Sequence, residues 1–183
     1  VIVWKLEESC YTYHILPHPS FVYAGKFLQN EDSSKILVVT AGRDSIVRIW
    51  QSRKKLEGFE LLQELKHPNA VKSSYITAIA TRNADTFYTS NSVGDVVEWT
   101  LNVNREYHLN RNFKIEEFKG KIVSSLELHP RGNKIFVRVQ DFSNNDVTST
   151  IFVLGVPTGL ITQKYHQPSV QNEPPGKLRV TTC

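Results

Sequence analysis

Apolar residues in this chain fall in short runs of strand length, separated by polar and turn-forming residues. The run KILVVT (35–40) is almost continuously apolar, where a strand with one wet face would alternate. It therefore predicts a strand covered on both sides. The same reading predicts strands at 21–28, 36–42, 46–51 and 59–65. A second set follows at 75–82, 86–90, 95–101 and 113–118, and a third at 122–128, 134–140, 149–155 and 160–165. Turn chemistry separates them: RDS at 43–45, SVG at 92–94, HPRGN at 129–133 and VPTG at 156–159. Helical periodicity is missing. The charged stretch RKKLEGFELLQELK (53–66) comes nearest to it, and a strand from Phe59 is the reading adopted there.

The pattern repeats. Tryptophans stand at 4, 50 and 99, each closing a β-branched run: VIVW, IVRIW and DVVEW. His18-Pro19 and His67-Pro68 each precede a strand-like segment. Four short strands per period of about 40–50 residues predict the blades of a β-propeller. A jelly roll or immunoglobulin-like sandwich would also give many short strands, but not a Trp and a His-Pro recurring in step. The fold class expected is all-β: a partial propeller of about three four-stranded antiparallel blades with parts of two others. Residues 1–17 form the end of a preceding blade. Blades follow at 18–66, 67–118 and, in degenerate form, 119–166. Residues 167–183 form a linker and the first strand of a next blade, in KLRVTT (177–182).

Composition narrows the function classes. The 183 residues are 40% hydrophobic and 22% charged, as in ordinary globular proteins. No apolar run approaches bilayer length, so no membrane insertion is expected. The net charge of +4 is mild, and Arg53, Lys54, Lys55, Arg105, Arg111 and Lys119 are spread through loops. A solvated surface, and no nucleic-acid partner, is the expectation. Cys10 and Cys183 make neither a disulfide framework nor a metal site, which favours a reducing, cytoplasmic location. No signal peptide opens the chain and it contains no methionine, so an internal piece of a longer protein is expected. His14 and His18 are four apart, but on extended chain with no third ligand at useful spacing. No nucleophile elbow, phosphate loop or HExxH occurs. No enzyme activity, catalytic residue, metal or cofactor is expected.

The repeats resemble those of the WD40 family. In that family a histidine before the first strand bonds an aspartate in the turn between the second and third strands. A Ser/Thr of the second strand and the Trp of the third complete a buried tetrad. The resemblance implies such a tetrad at His18, Thr40, Asp44 and Trp50. It implies a degraded one at His67, Thr89 and Trp99, where Val93 takes the aspartate position and Asp95 is displaced by two residues. The third repeat has no histidine at its start; Phe152 stands near the Trp position, with Asp146 as its candidate turn aspartate.

The strings LPHPSFVYAGKF (16–27), VVTAGRDSIVRIW (38–50) and EFKGKIVSSLELHPRGNK (117–134) resemble, more narrowly, the propeller of a ciliary-scaffold branch of that family. That resemblance implies a non-enzymatic scaffold for protein–protein interaction in cilium assembly. It would sit at the cilium base (basal body or transition zone) and the cytoskeleton, with other proteins of those structures as partners. It also implies that three blades, unable to close a ring, need the rest of their propeller. The face that WD40 propellers often use for binding falls here on Arg43, Phe21, Tyr23, Tyr75 and Ser92. Phe21 and Tyr23 also read as packed strand residues. A substrate receptor of a ubiquitin ligase, or a peptide-reading adaptor, would use the same face. A phosphoinositide-binding propeller is disfavoured because the FRRG loop is missing.

Overall fold

Every residue of the strand Leu37–Gly42 is buried, because odd and even positions each meet a different neighbour. The computed structural model describes residues 1–166 apart from 7, 9, 30–34, 54–57, 69, 72 and 144–146. The strand expected in 167–183 and the candidate Asp146 lie outside the described residues.

Fourteen strands form among the described residues: β1 (Ile2–Leu6), β2 (Tyr11–Ile15), β3 (Val22–Leu28), β4 (Leu37–Gly42), β5 (Ile46–Ser52), β6 (Phe59–Lys66), β7 (Ile76–Thr81), β8 (Thr86–Asn91), β9 (Val96–Leu101), β10 (Tyr107–Phe113), β11 (Ile122–Leu128), β12 (Lys134–Asp141), β13 (Thr148–Gly155) and β14 (Ile161–His166). They build one two-stranded hairpin and three four-stranded antiparallel meanders, β3–β6, β7–β10 and β11–β14. The strand expected at 113–118 is corrected to β10 at 107–113. Residues Glu116–Phe118 instead make a single 3-10 turn. β10 is the outer strand of its blade, so its middle faces water and shows no apolar signal, while its ends Tyr107 and Phe113 are buried.

The first strands face one another in series, β3 on β7 and β7 on β11. Between the first and second sheets, Val39, Ala41, Val47 and Ile49 meet Ile76, Ile79, Phe87 and Trp99. Between the second and third, Ala80, Tyr88 and Phe113 meet Val123, Val137 and Phe152. Neighbouring residues of β8 thus serve opposite interfaces, Phe87 toward the first sheet and Tyr88 toward the third. Trp50 faces the β1–β2 hairpin with Leu16 and Val38, just as Trp99 and Phe152 each face the preceding sheet. Each first strand carries an irregularity at its start: Val22/Ala24, Ile76/Ala78 and Val123/Ser125. Bulges at matching places turn each strand's start in the same way, so the blades repeat in shape even where their sequences drift.

Candidate protein-interaction surface

The antiparallel order puts the starts of β3 and β7 at the same end of the sheets as the β4–β5 and β8–β9 turns. The candidate residues gather at that end. Gly42 lets the segment entering β3 pass close by: a Cβ there would lie 2.1 Å from the Phe21 carbonyl oxygen. The Arg43 N–H then donates to that carbonyl at 2.9 Å, and the Arg43 guanidinium sits 5.9 Å from the Phe21 ring centroid. That spacing is within reach of a cation–π contact.

The next blade is latched to this turn. Ser45, in the left-handed region at φ 57°, donates from Oγ to the Ser74 carbonyl at 2.9 Å. Its own carbonyl accepts the His67 N–H at 3.1 Å. These bonds fix Tyr75 beside Tyr23, ring centroids 5.3 Å apart. Ser92 holds Tyr75 from behind: its N–H donates to the Tyr75 carbonyl at 3.0 Å, and its Oγ accepts the Tyr75 N–H at 3.2 Å. A cleft of about 520 Å³ lies between Tyr23, Arg43, Ser73, Ser74 and Tyr75. Phe21, Tyr23, Arg43, Tyr75 and Ser92 therefore form one patch. Phe21 is 68% and Tyr23 52% exposed, against the alternative that they are packed strand residues. Ser45, Ser73 and Ser74 carry no sequence pattern that marks them as site residues; Ser45 enters through its left-handed backbone and its bond to Ser74.

Behind the patch lies the histidine chain. The Trp50 Nε1–H donates to Thr40 Oγ1 at 2.8 Å, and Thr40 Oγ1 lies 2.8 Å from His18 Nε2. His18 Nδ1–H donates to the Leu16 carbonyl at 2.7 Å. In the neutral imidazole, which burial favours, that donation makes Nε2 the acceptor for the Thr40 hydroxyl and both nitrogens are spent. Burial holds the His18 pKa below its ordinary value, against the opposing pull of the Leu16 carbonyl. The expected place of Asp44 needs correction. Its Oδ2 lies 2.7 Å from the Arg48 guanidinium, and its Oδ1 accepts the Ile46 N–H at 3.2 Å. Arg48 also donates to Glu64 at 2.8 Å. A nearby backbone carbonyl satisfies His18, and a nearly buried arginine (7% exposed) claims the carboxylate.

In the second blade Trp99 donates to Thr89 at 2.8 Å, but His67 is not joined to them by a hydrogen bond. Its Nδ1–H donates to the Pro68 carbonyl at 3.0 Å, its ring lies 6.3 Å from Trp99, and Nε2 has no partner among the described residues. Asp95, the displaced acid, accepts instead from Asn91 at 2.7 Å.

No protein-family model matches the chain. Jouberin of Mus musculus is 32% identical to it over 149 residues, 76% of this chain. Jouberin of Rattus norvegicus is 32% identical over the same length. The chain is a Jouberin-like WD40 segment. It spans 14% of the length of these relatives. Two solved propellers share the fold at low identity. The WD40 β-propeller domain of Doa1 has a TM-score of 0.59 at 14% identity and covers 84% of this chain and 43% of that one. The C-terminal WD40 domain of Sif2 has a TM-score of 0.56 at 15% identity, covering 79% and 36%. The Jouberin-like segment keeps strand pairing and blade stacking while its buried polar chain varies from blade to blade.

Proposed function

We propose that this Jouberin-like segment is a non-enzymatic scaffold that holds a partner protein on the patch formed by Phe21, Tyr23, Arg43, Tyr75 and Ser92. One observation carries the reading: an exposed tyrosine ring (Tyr23), a half-buried one (Tyr75) and an exposed arginine stand around one cleft, on two blades tied together by the Ser45–Ser74 bond. Tyr and Arg dominate the energetics of many protein interfaces because they bring large contact area and directional hydrogen bonds. The histidines nearest the patch serve other ends: His18 is spent within the blade and His67 is buried. The likeness to Jouberin extends the proposal to a place at the cilium base, among basal-body, transition-zone or cytoskeletal proteins.

Co-precipitation of the full-length protein from ciliated cells tests this. Tyr23→Ala combined with Tyr75→Ala is expected to lose at least one basal-body or transition-zone protein while melting like the parent. An unchanged partner set contradicts the assigned face. Imaging of the parent at the cilium base supports the cellular placement, and a diffuse cytosolic signal contradicts it.

A further inference from the structure

The cleft between Tyr23 and Tyr75 has a one-sided chemistry. Arg43 is exposed, and its guanidinium lies 5.9 Å from the Phe21 ring centroid with no carboxylate partner among the described residues. The adjacent acid, Asp44, is already held at 2.7 Å by Arg48. Ser74 is spent, donating to the Val71 carbonyl at 2.9 Å and accepting from Ser45 on its own carbonyl. The side-chain hydroxyls of Ser73, Tyr23 and Tyr75 make no hydrogen bond among the described residues. The described lining therefore offers a guanidinium and three hydroxyls, with no acid among them, between two aromatic walls.

We infer that the patch takes a protein segment carrying an aspartate or glutamate. Its carboxylate bonds Arg43, and a neighbouring apolar residue lies against the Tyr23 and Tyr75 rings. The inference rests on the reading of this face as the partner-binding surface. A carboxylate fits better than a phosphate on charge. One planar guanidinium matches two carboxylate oxygens, whereas a phosphate of about −2 charge draws a cluster of cations. Arg43 is the one cationic side chain in the described lining of the cleft.

The test is selection of a phage-displayed random peptide library on the full-length protein, with recovered peptides then titrated against variants. Peptides recovered on the parent are expected to share an Asp or Glu beside an aliphatic or aromatic residue. Arg43→Gln is expected to weaken them by about tenfold to a hundredfold, the effect of losing a charge-assisted hydrogen bond. Arg43→Lys keeps the charge but not the fork and gives a smaller loss; Arg43→Glu selects peptides with Lys or Arg at that position. Peptides without a shared acid that still lose binding with Tyr75→Ala overturn the carboxylate and leave the face standing. Peptides indifferent to Arg43→Gln, Tyr23→Ala and Tyr75→Ala overturn the face itself, as does recovery of no peptide. Phosphoserine in place of the acid is expected to bind no better. Tightening by about tenfold or more reassigns the partner to a phosphorylated protein and overturns the inference.

Discussion

A neutral imidazole ties three groups together where the first four-stranded blade begins. His18 donates a hydrogen bond from Nδ1–H to the Leu16 carbonyl and accepts one at Nε2 from the Thr40 hydroxyl, whose oxygen in turn accepts the Trp50 indole N–H. Thr40→Val keeps the shape but strips the hydroxyl, leaving Trp50 and His18 each short of a partner. The expected loss is about 1–3 kcal/mol in thermal unfolding of the full-length protein. Parent-like melting would contradict the chain. Protonation of His18 or His67 works against the fold for the same reason. Both have pKa values lowered by burial from the ordinary 6.5, so the unfolded chain binds more protons than the native one below that pH. Their contribution is present above pH 6.5 and is lost as pH falls from there through the lowered native values. The unfolding temperature is expected to drop between about pH 7.5 and 5.5, and His67→Leu to flatten that slope. A flat or rising parent profile contradicts this. The recurring histidine and tryptophan were legible from spacing, and the WD40 resemblance implied the threonine between them. The aspartate was not, because the spacing of Asp44 says nothing of Arg48, a residue on the next strand that competes for it.

At the scale of the element, backbone approach sets the patch. A Cβ on Gly42 would meet backbone atoms, the Phe21 oxygen at 2.1 Å and Val22 Cα at 2.7 Å, which have no rotamer to yield with. Gly42→Ala is expected to cost about 1–3 kcal/mol and to weaken partner binding by displacing Phe21 from Arg43. Gly25→Ala is its control. The Cβ there would lie 3.7 Å from Thr40 Cγ2, ordinary contact, and parent-like stability is expected. Equal melting of the two variants would contradict this account of the turn. Strands that stack between blades were legible because both their faces are apolar. KILVVT is the clearest, with Leu37 and Val39 in the interface with the second blade and Val38 packed on the other side with Leu16 and Trp50. Outer strands were harder to read. YHLNRNF (107–113) buries its two ends and wets most of its middle, so the more apolar ends of FKIEEF (113–118) drew the strand too far along the chain.

At the scale of the whole molecule, the sheets are stacked, and among the described residues the β1–β2 hairpin leaves one face of the stack open. Register places Ile2 beside Ile15, Trp4 beside Tyr13 and Leu6 beside Tyr11, so all six share one face of the β1–β2 hairpin. They are 50–81% exposed. Trp50 and Trp99 each face a preceding sheet, whereas Trp4 looks outward with Tyr11 and Tyr13 around it. An apolar face of this kind drives association in water. The 183-residue chain made alone is expected to aggregate, and Trp4→Lys with Tyr13→Glu to raise its soluble fraction. A monodisperse parent that unfolds cooperatively would contradict this. The central claim is that the patch around Tyr23 and Tyr75, at one end of the blades, is where a partner sits. Site-specific photo-crosslinking in the full-length protein in ciliated cells tests it most directly, with the photoreactive residue at Tyr75 or, as control, at Val103, which is 98% exposed on the β9–β10 turn at the other end. The account predicts a protein adduct from position 75 and none from position 103; no adduct from 75, or one from 103 alone, would contradict it.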